Sequence, residues 1–422
     1  MVKLLIIADD FTGALDTAIQ FVKKGIETLV FTGTEIVGTE KINSAKVLVV
    51  DAQTRPMTPA RAYETVRILV RQAIKMGVEV IYKKTDSALR GNVGSELSAV
   101  LDGVGKGRVH FIPAFPAMKR VTKDGIQYID GVRLEESSFG KDPFDPMNCS
   151  SVQKILSSKT SKKVTTISVG EKIPQMEAEK EILIYDASED EDIRRRILEL
   201  KRCGELHLLA GCAGFASFLP DVLGMTGECR EEIFKTDCFF VSCGSLNPIT
   251  REQVLYAQEH GFYRVSLSPE QKLWPGYYET ENGRAFLSRL ANICGNEACV
   301  EVDCFELEGT DTYAKSLGLS DEQIRFAVSA CHGKIVRSLL EKNINMTVLM
   351  TGGDTLMGFM RELGVCQLIP VAEVGQGIVL SHLEWRDKIM QVVSKSGGFG
   401  DESVLVQVAC QVTREKKLKA LA

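Results

Sequence analysis

Short apolar runs, rich in Val, Ile and Leu, alternate along the first half of the chain with longer segments of helical periodicity. The segments 14–24 and 59–76 place apolar residues every three or four positions, as the buried face of a helix requires. This alternation predicts βαβ units and hence a largely parallel sheet with helices on both faces. The candidate strands are residues 4–8, 29–32, 47–51, 78–83, 109–113, 182–186 and 206–210.

The alternation is interrupted twice. Glycines and prolines between Phe115 and Thr166 predict a long irregular stretch, of the kind that is either functional or mobile. A second break, between Pro220 and Asp237, predicts a domain boundary, and strands resume at residues 238–242, 264–267, 347–350 and 389–394. We therefore predict an α/β protein of two lobes, 1–225 and 235–422, each built on a largely parallel sheet with flanking helices.

Charge and composition exclude several classes of protein. The 422 residues include 51 Lys and Arg against 56 Asp and Glu, a net charge of −5, which is unlike the basic excess of nucleic-acid-binding proteins. No run approaches the ~18 apolar residues of a membrane span, and the N-terminal run is too short for a signal peptide. The 12 cysteines form no CxxC pair. We therefore expect a cytoplasmic protein with reduced thiols and with neither a nucleic acid nor a membrane as a partner.

Two carboxylates follow the first predicted strand directly. Ligands of open α/β sheets bind beyond the carboxyl ends of the strands, so residues at these positions are the first candidates for a site. Asp9 and Asp10 stand there, just before a predicted helix. They could bind a cation or hold a substrate hydroxyl, or one of them could cap the helix. The sequence leaves both interpretations open.

Several kinds of polar residue follow the strand at 78–83. Backbone amides at a helix start, beside a forked guanidinium, form a natural site for a carboxylate or a phosphate. An ordinary turn with a surface arginine is the alternative. Lys119 and Arg120 follow the next strand and would either add cations to the site or be solvated surface charges. The candidates after strand 78–83 are Lys84, Asp86, Ser87, Arg90 and Gly91.

The second lobe contains four glycine-containing loops at strand ends. Glycine lets the backbone approach a phosphate closely, and loop amides supply hydrogen bonds to it. Four such loops predict a nucleotide or polyphosphate ligand, although no Walker, dinucleotide-binding or nucleophile-elbow motif is present. The candidates are Ser242, Gly244 and Ser245; Gly352, Gly353, Asp354 and Thr355; Gly375 and Gly377; and Lys395, Gly397, Gly398 and Gly400.

As a set, these motifs resemble those of the four-carbon acid sugar kinases. Asp9-Asp-Phe-Thr-Gly-Ala, Lys84-Thr-Asp-Ser-Ala-Leu-Arg-Gly-Asn and Pro113-Ala-Phe-Pro resemble the N-terminal half of that family, and Thr351-Gly-Gly-Asp-Thr and Lys395-Ser-Gly-Gly-Phe-Gly resemble the C-terminal half. Members phosphorylate acids such as threonate, erythronate and 3-oxo-tetronate at the terminal hydroxyl with ATP. The chain departs from the usual family pattern at Met118-Lys119, at the Gly375-Gln-Gly-Ile stretch, and at Cys212, Asp354 and Gly398.

The resemblance implies a sugar-acid-binding N-terminal lobe, an ATP-binding C-terminal lobe and an active site in the cleft between them. Arg90, with Lys84, would clamp the substrate carboxylate, and Asp9, Asp10 or Asp86 would orient hydroxyls or accept the proton. Asp354 is a candidate Mg2+ contact. An NAD-linked hydroxy-acid oxidoreductase and a non-catalytic sugar-acid or nucleotide-binding protein are the alternatives. The particular acid, the identity of the base and a homo-oligomeric state are left open.

Overall fold

The N-terminal half of the computed structural model follows the predicted alternation of strands and helices. The structure describes residues 2–34, 36, 42, 44–141, 146–176, 178–228, 232–306 and 308–414. Contacts divide the chain into two units, Met1–Cys229 and Arg230–Ala422. Each predicted strand is present, with its ends shifted by a residue or two.

Unit 1, Met1–Cys229, is built on a sheet in which all described strand pairs are parallel. The strand order is β2-β3-β1-β4-β11-β5-β10-β9. The strands of the unit are β1 (Leu4–Ala8), β2 (Thr28–Thr32), β3 (Val47–Asp51), β4 (Val80–Lys84), β5 (Gly107–Ile112), β6 (Arg120–Lys123), β7 (Ile126–Ile129), β8 (Val132–Arg133), β9 (Lys163–Ile167), β10 (Lys180–Tyr185) and β11 (Leu208–Gly211). The α-helices are α1 (Phe11–Val22), α2 (Pro59–Lys75), α3 (Val93–Val104), α4 (Val152–Ser157), α5 (Asp190–Cys203), α6 (Ala213–Ala216) and α7 (Leu219–Val222).

The central strands of unit 1 are buried on both faces. Every residue of β1, β3 and β4 is buried, including two lysines at the end of β4. Buried strands of this kind read as continuous apolar runs rather than as alternating patterns, because helices cover both faces of a parallel sheet. Their polar residues therefore stand only at the carboxyl ends, which is where the motifs lie.

The prediction of an irregular stretch between Phe115 and Thr166 is wrong for its first part. Residues 120–133 form a small antiparallel sheet, β6-β7-β8, with two tight hairpins. The hairpin turns are Asp124-Gly125 and Asp130-Gly131, in which all four residues have positive φ. Asp-Gly is the preferred sequence of a two-residue turn with this geometry. Strands of two to four residues, as here, are too short to show a clear alternation of apolar and polar positions.

Unit 2, Arg230–Ala422, has a mixed sheet in the order β13-β14-β12-β15-β18-β17-β16. Pairs from β13 to β18 are parallel, and the hairpins β16-β17 and β17-β18 are antiparallel. The strands are β12 (Cys238–Cys243), β13 (Tyr263–Ser266), β14 (Cys299–Asp303), β15 (Met346–Thr351), β16 (Gln367–Gly375), β17 (Ile378–Trp385) and β18 (Lys388–Lys395). The α-helices are α8 (Pro248–Glu259), α9 (Pro269–Leu273), α10 (Glu281–Asn296), α11 (Thr310–Ser316), α12 (Asp321–Glu341), α13 (Gly353–Leu363) and α14 (Val404–Val412).

Three strands of unit 2 were not predicted. Strand β14 carries the buried acids Glu301 and Asp303, and β16 contains Pro370, which lowers the expectation of a strand. Strand β17 follows β16 through the turn that contains Gly377, which is also a predicted nucleotide-binding residue. The predicted α/β class, with a largely parallel sheet in each unit, is confirmed. Among the described residues, no helix is both long and apolar enough to cross a membrane.

Candidate active site

Three predicted catalytic carboxylates of unit 1 surround one arginine. Arg55 Nε lies 2.8 Å from Asp9 Oδ2, and Arg55 Nη2 lies 3.0 Å from Asp10 Oδ1 and 3.7 Å from Asp86 Oδ1. The parallel register aligns Ala8 of β1 with the last residues of β3 and β4, so the loops that follow these strands meet at one edge of the sheet. The structure therefore brings Asp9, Asp10 and Asp86 together around a residue that sequence reasoning missed.

Charge compensation keeps the two buried carboxylates of this cluster ionised. Burial raises the pKa of Asp9, but the charges of Arg55, Lys83 and Lys84 outweigh burial, so the pKa lies below its usual value. Burial also raises the pKa of Asp86, and Arg55 with Arg90 brings it far below the usual range. Both side chains are therefore carboxylates at neutral pH. Each can accept a hydrogen bond or bind a metal ion, but neither has a proton with which to donate a hydrogen bond.

Asp10 caps a helix and also belongs to the cluster. Its Oδ1 accepts a hydrogen bond from the Gly13 N–H at 3.1 Å, and its Oδ2 accepts one from the Thr12 hydroxyl at 2.9 Å. A side chain on Gly13 would collide with the Asp10 carboxylate and would lie 2.7 Å from Lys84 Nζ. The start of α1 thus needs glycine because a carboxylate and an ammonium group both approach it. The capping interpretation of Asp10 is therefore confirmed, and a contact of Asp10 with a substrate hydroxyl stays a prediction.

A second set of predicted residues forms a cationic pair beside an aromatic ring. Arg90 Nε donates to Asp86 Oδ2 at 2.7 Å, and its guanidinium lies 4.9 Å from the centre of the Phe139 ring. The Arg120 guanidinium lies 5.4 Å from the same ring and donates to the Ser87 hydroxyl. Ser87, Arg90 and Arg120 are thereby brought together, and Phe139, from the stretch predicted to be irregular, orients both cations.

The Gly91-Asn92 turn holds the loop that carries Arg55. Gly91 has a φ of +83°, and a side chain there would approach Arg55 Cγ to 3.1 Å. The Asn92 amide donates to the carbonyl oxygens of Thr54 and Met57, at 3.0 and 2.8 Å. The motif after β4 therefore fixes the position of Arg55 through its backbone. Lys119 is exposed on the turn before β6.

A buried polar layer lies directly below the carboxylates. Lys83 Nζ is 3.3 Å from Glu96 Oε2, both side chains are buried, and Glu96 accepts the Thr54 hydroxyl. Burial, together with the neighbouring charge of Asp10, raises the pKa of Asp51 to about 8. None of these residues was predicted. The sequence marks them only by position. Asp51 and Lys83 lie at or next to strand ends, Thr54 lies in the loop after β3, and Glu96 lies on α3.

Three of the four predicted nucleotide loops in unit 2 meet at Ser245. A Cβ atom on Gly397 would lie 2.6 Å from Ser245 Oγ, and one on Gly352 would lie 3.9 Å from Ser245 Cβ. The Gly352 N–H donates to the Lys395 carbonyl oxygen at 2.8 Å. Around this contact lie Gly244, packed on Thr355; Gly353, which begins α13; and Gly398, next to Asn247.

The remaining predicted glycines have turn geometry that explains them. Gly375 ends β16, and Gly377, with a φ of +67°, completes the turn into β17. A side chain on Gly377 would lie 2.6 Å from the Phe399 ring, so this hairpin packs against the fourth loop. Gly400, with a φ of +84°, turns the chain into α14 against Val404. A nucleotide contact of these three glycines stays a prediction.

Comparison with known proteins agrees with both halves of this arrangement. Residues 4–219 match the family model described as a sugar-binding N-terminal domain, and residues 240–405 match that of a nucleotide-binding C-terminal domain. The D-threonate kinase of Bordetella bronchiseptica is 26% identical over 418 residues, which cover 98% of each chain. The chain belongs to the four-carbon acid sugar kinase family. The predicted family and enzyme class, a phosphotransferase of acid sugars, are confirmed.

Two further relatives of this acid sugar kinase cover nearly all of it. The 3-oxo-tetronate kinase of Pseudomonas savastanoi pv. phaseolicola is 26% identical over 414 residues, covering 93% of this chain and 94% of the relative. A crystal structure of a Haemophilus influenzae protein aligns with a TM-score of 0.71 at 18% identity, covering 96% of this chain and 98% of that protein. The crystal structure supports the fold alone.

Two departures of this kinase from the family pattern have a structural explanation. Cys212, where serine is usual, points its thiol at the carbonyl oxygens of Ala114 and Pro113, at 3.2 and 3.4 Å. A thiol donor in this place still ties β11 to the loop after β5. Asp354, where glutamate is usual, is exposed and accepts two hydrogen bonds from Arg325 of α12, at 2.7 and 3.2 Å.

Lys395 lies beneath the loops of the kinase's second unit. Its side chain is fully buried, and Nζ donates to the Ser396 carbonyl oxygen at 2.9 Å and to the Thr250 hydroxyl at 3.3 Å. Burial lowers the pKa of this lysine to about 8. The buried ammonium group therefore holds the start of the loop at Ser396, and its predicted role in nucleotide binding stays a prediction. Ser242, also buried, bonds to His332 Nδ1 at 2.8 Å.

Proposed function

We propose that this chain transfers the γ-phosphoryl group of ATP to the terminal C4 hydroxyl of a four-carbon acid sugar, such as threonate, erythronate or 3-oxo-tetronate. The convergence of Asp9, Asp10 and Asp86 on Arg55, beside the Arg90–Arg120 pair, is the observation that carries the proposal. Carboxylates can hold hydroxyls, and paired guanidinium groups can hold a carboxylate. The activities for which the relatives are named, D-threonate kinase and 3-oxo-tetronate kinase, support this substrate class.

The substrate carboxylate is proposed to bind between Arg90 and Arg120. Arg90 uses Nε and Nη2 on Asp86, and Arg120 uses Nη1 on Ser87. The Phe139 ring fixes the plane of each guanidinium, so that little side-chain entropy is lost when an anion binds. Lys84, buried beside Asp10, adds positive charge at the hydroxyl end of the substrate.

Asp10 is proposed as the group that accepts the proton of the C4 hydroxyl. Its side chain is 26% exposed, against 2% for Asp9 and 9% for Asp86. A general base must reach the proton that it removes, so accessibility favours Asp10. Asp9 and Asp86 would then hold Arg55 and Arg90 in place. Alignment and neutralisation of charge account for most of the catalysis in phosphoryl transfer, so these ion pairs matter as much as the base.

The loops around Ser245 are proposed to hold the phosphates of ATP. Gly244, Gly352 and Gly397 would let the backbone approach the phosphates, whose hydrogen bonds would come from loop amides. Mg2+ would neutralise charge on the transferred group. Among the described residues no group of three or more His, Cys, Asp or Glu could hold a metal ion, and Asp354 is already paired with Arg325. The magnesium contact of Asp354 stays a prediction.

ADP release from ATP, measured with a panel of four-carbon acids, tests the proposed function. The panel contains both threonates, both erythronates and the 3-oxo forms, with ATP alone as the control. We expect ADP release that depends on at least one acid. ATP binding without release for any acid would indicate the non-catalytic alternative, and NADH formation from NAD and a hydroxy acid would indicate the oxidoreductase.

Arg120→Met is expected to raise KM for the acid by roughly 10- to 100-fold, since a hydrogen-bonded charge contributes about 1.5–3 kcal/mol. The Arg120 side chain contacts Ser87 and Phe139 rather than the three carboxylates, so kcat and KM for ATP should change little. Arg133→Met, on exposed β8 of the same small sheet, is the matched control. An equal rise in both KM values for Arg120→Met would contradict the role in carboxylate binding.

Lys395 predicts a pH dependence of ATP binding. The lysine loses its proton near pH 8 in the free protein, whereas bound phosphates favour the charged form. ATP should therefore bind most tightly below pH 8, and its Kd should rise as the pH increases through 8, because binding then takes up a proton. Lys395→Met should bind ATP more weakly and lose this pH dependence. Calorimetric titration without acid substrate, from pH 6.5 to 9.5, measures both effects; an identical pH dependence in the variant would exclude Lys395 as its source.

A further inference from the structure

Gln253 of α8 binds the backbone of the fourth glycine-containing loop, residues 396–401 after β18. Its side chain is fully buried, and Nε2 lies 3.0, 2.9 and 2.9 Å from the carbonyl oxygens of Phe399, Gly400 and Asp401. A primary amide has two hydrogens, so three acceptors share them. One side chain therefore gathers three successive carbonyl groups onto the same face of the loop.

The acceptor end of the same amide has no partner. Gln253 Oε1 is buried and accepts no hydrogen bond from the described residues. A buried polar atom without a partner costs stability, so an apolar residue would avoid this cost at the same position. The donor end of Gln253 is thus the part that the loop requires. This pattern indicates that Gln253 positions the loop and does not serve stability alone.

Thr250, one helical turn earlier, extends the same face of α8. Its hydroxyl donates to the Gly397 carbonyl oxygen at 2.7 Å and accepts a hydrogen bond from Lys395. The carbonyl groups of the loop are thereby turned toward α8. The N–H groups of Gly397, Gly398 and Gly400 donate to no other described residue. The Phe399 N–H donates to the Ser396 carbonyl oxygen at 3.2 Å, so the amides left for a ligand are those of the three glycines. A loop with its carbonyls tied back and these amides available is suited to an anion.

We infer that Gln253 is a positioning residue, which, with Thr250, orients the amides of the loop Ser396–Asp401 toward the phosphates of the nucleotide. The inference rests on the proposed function, because it assigns ATP to unit 2. Gln253 itself stays buried and does not touch the nucleotide. Its effect passes through the backbone alone, so it should act on nucleotide binding and leave the acid site of unit 1 unchanged.

Gln253→Glu tests this inference by replacing the amide donor with an acceptor of nearly the same shape. A carboxylate facing three carbonyl oxygens must turn the loop away. We expect KM and Kd for ATP to rise at least tenfold, with KM for the acid within twofold of wild type. Gln258→Glu, the same change at an exposed position of α8, is the matched control. The shift in thermal unfolding temperature that ATP produces should be smaller in Gln253→Glu and unchanged in the control.

Gln253→Met provides a second variant that removes the donor and the unpartnered oxygen without adding charge. Methionine has nearly the same side-chain volume as glutamine, so this variant should fold even where Gln253→Glu does not. Its affinity for ATP should fall in the same way. Unchanged ATP binding in either folded variant would overturn the inference, as would an equal loss for both substrates. Wild-type protein that binds no ATP would instead overturn the proposed function, and with it the inference.

Discussion

Arg55→Met is expected to lower kcat/KM for the acid by roughly 10²–10³-fold, because it removes the cation shared by three carboxylates. The free energy of unfolding should also fall, by about 3–5 kcal/mol, since breaking a buried pair leaves uncompensated charge. Steady-state kinetics and chemical denaturation measure these two effects. Arg61→Met, an exposed arginine in the first turn of α2, is the control and should change neither quantity.

Arg55→Lys separates the loss of geometry from the loss of charge. An ammonium group keeps the positive charge, but it cannot reproduce the planar fork that reaches Asp9 with Nε and Asp10 with Nη2. We expect this variant to fold and still to lose at least tenfold in kcat. Wild-type kcat in Arg55→Lys would show that charge alone suffices and that the observed fork is not needed for catalysis.

The same arginine predicts how stability depends on acid. The depressed pKa of Asp86 contributes stability that is complete above its ordinary value of 3.8 and is lost only as the pH falls through the lower folded-state pKa. Without Arg55 the folded-state pKa rises, so part of this stability disappears at every pH above the ordinary range as well. Denaturation curves of wild type, Arg55→Met and Arg55→Lys between pH 3 and 7 test this. The free energy of unfolding of Arg55→Met should fall furthest below that of wild type near pH 7, and that of Arg55→Lys should fall less.

The sequence predicted those parts of the site that lie in one motif after a single strand. Asp10 and Asp86 each stand two residues after a buried strand, and Arg90 belongs to the polar motif that contains Asp86, so the strand end and the motif marked them. Arg55 stands several residues after β3, and only the parallel register of β1, β3 and β4 shows that its loop meets the other two. A site assembled from three loops needs this register, which no local pattern contains.

Glycines illustrate a different limit of sequence reasoning. Gly397 is required because Ser245 approaches its Cα closely, whereas Gly377 is required by a hairpin turn against Phe399. In the sequence, both requirements produce the same pattern, a glycine near the end of a strand. The pattern therefore placed glycine-containing loops at strand ends, as observed, but could not separate a hairpin turn from a loop on which another loop packs closely. Gln253 gave no signal at all, because an amide on a helix is ordinary until its three acceptors are known.

Asp10→Asn is expected to lower kcat by roughly 10²–10⁴-fold, the usual contribution of a general base. Asparagine caps helices about as well as aspartate, so the amide oxygen can still accept the Gly13 N–H and α1 should keep its stability. The variant thus removes the base without removing the cap. KM for the acid should change far less than kcat, because the carboxylate end of the substrate is proposed to bind at Arg90 and Arg120.

Asp86→Asn is the comparison that decides between the two candidates for the base. Asp86 is bound by Arg90 and faces Arg55, and its strongly lowered pKa makes it a weak acceptor for a proton. Its asparagine variant should therefore release Arg90 and raise KM for the acid, with a smaller effect on kcat than Asp10→Asn. The opposite ranking, with kcat lost in Asp86→Asn and retained in Asp10→Asn, would assign the proton to Asp86 and leave Asp10 as a helix cap that happens to pair with Arg55.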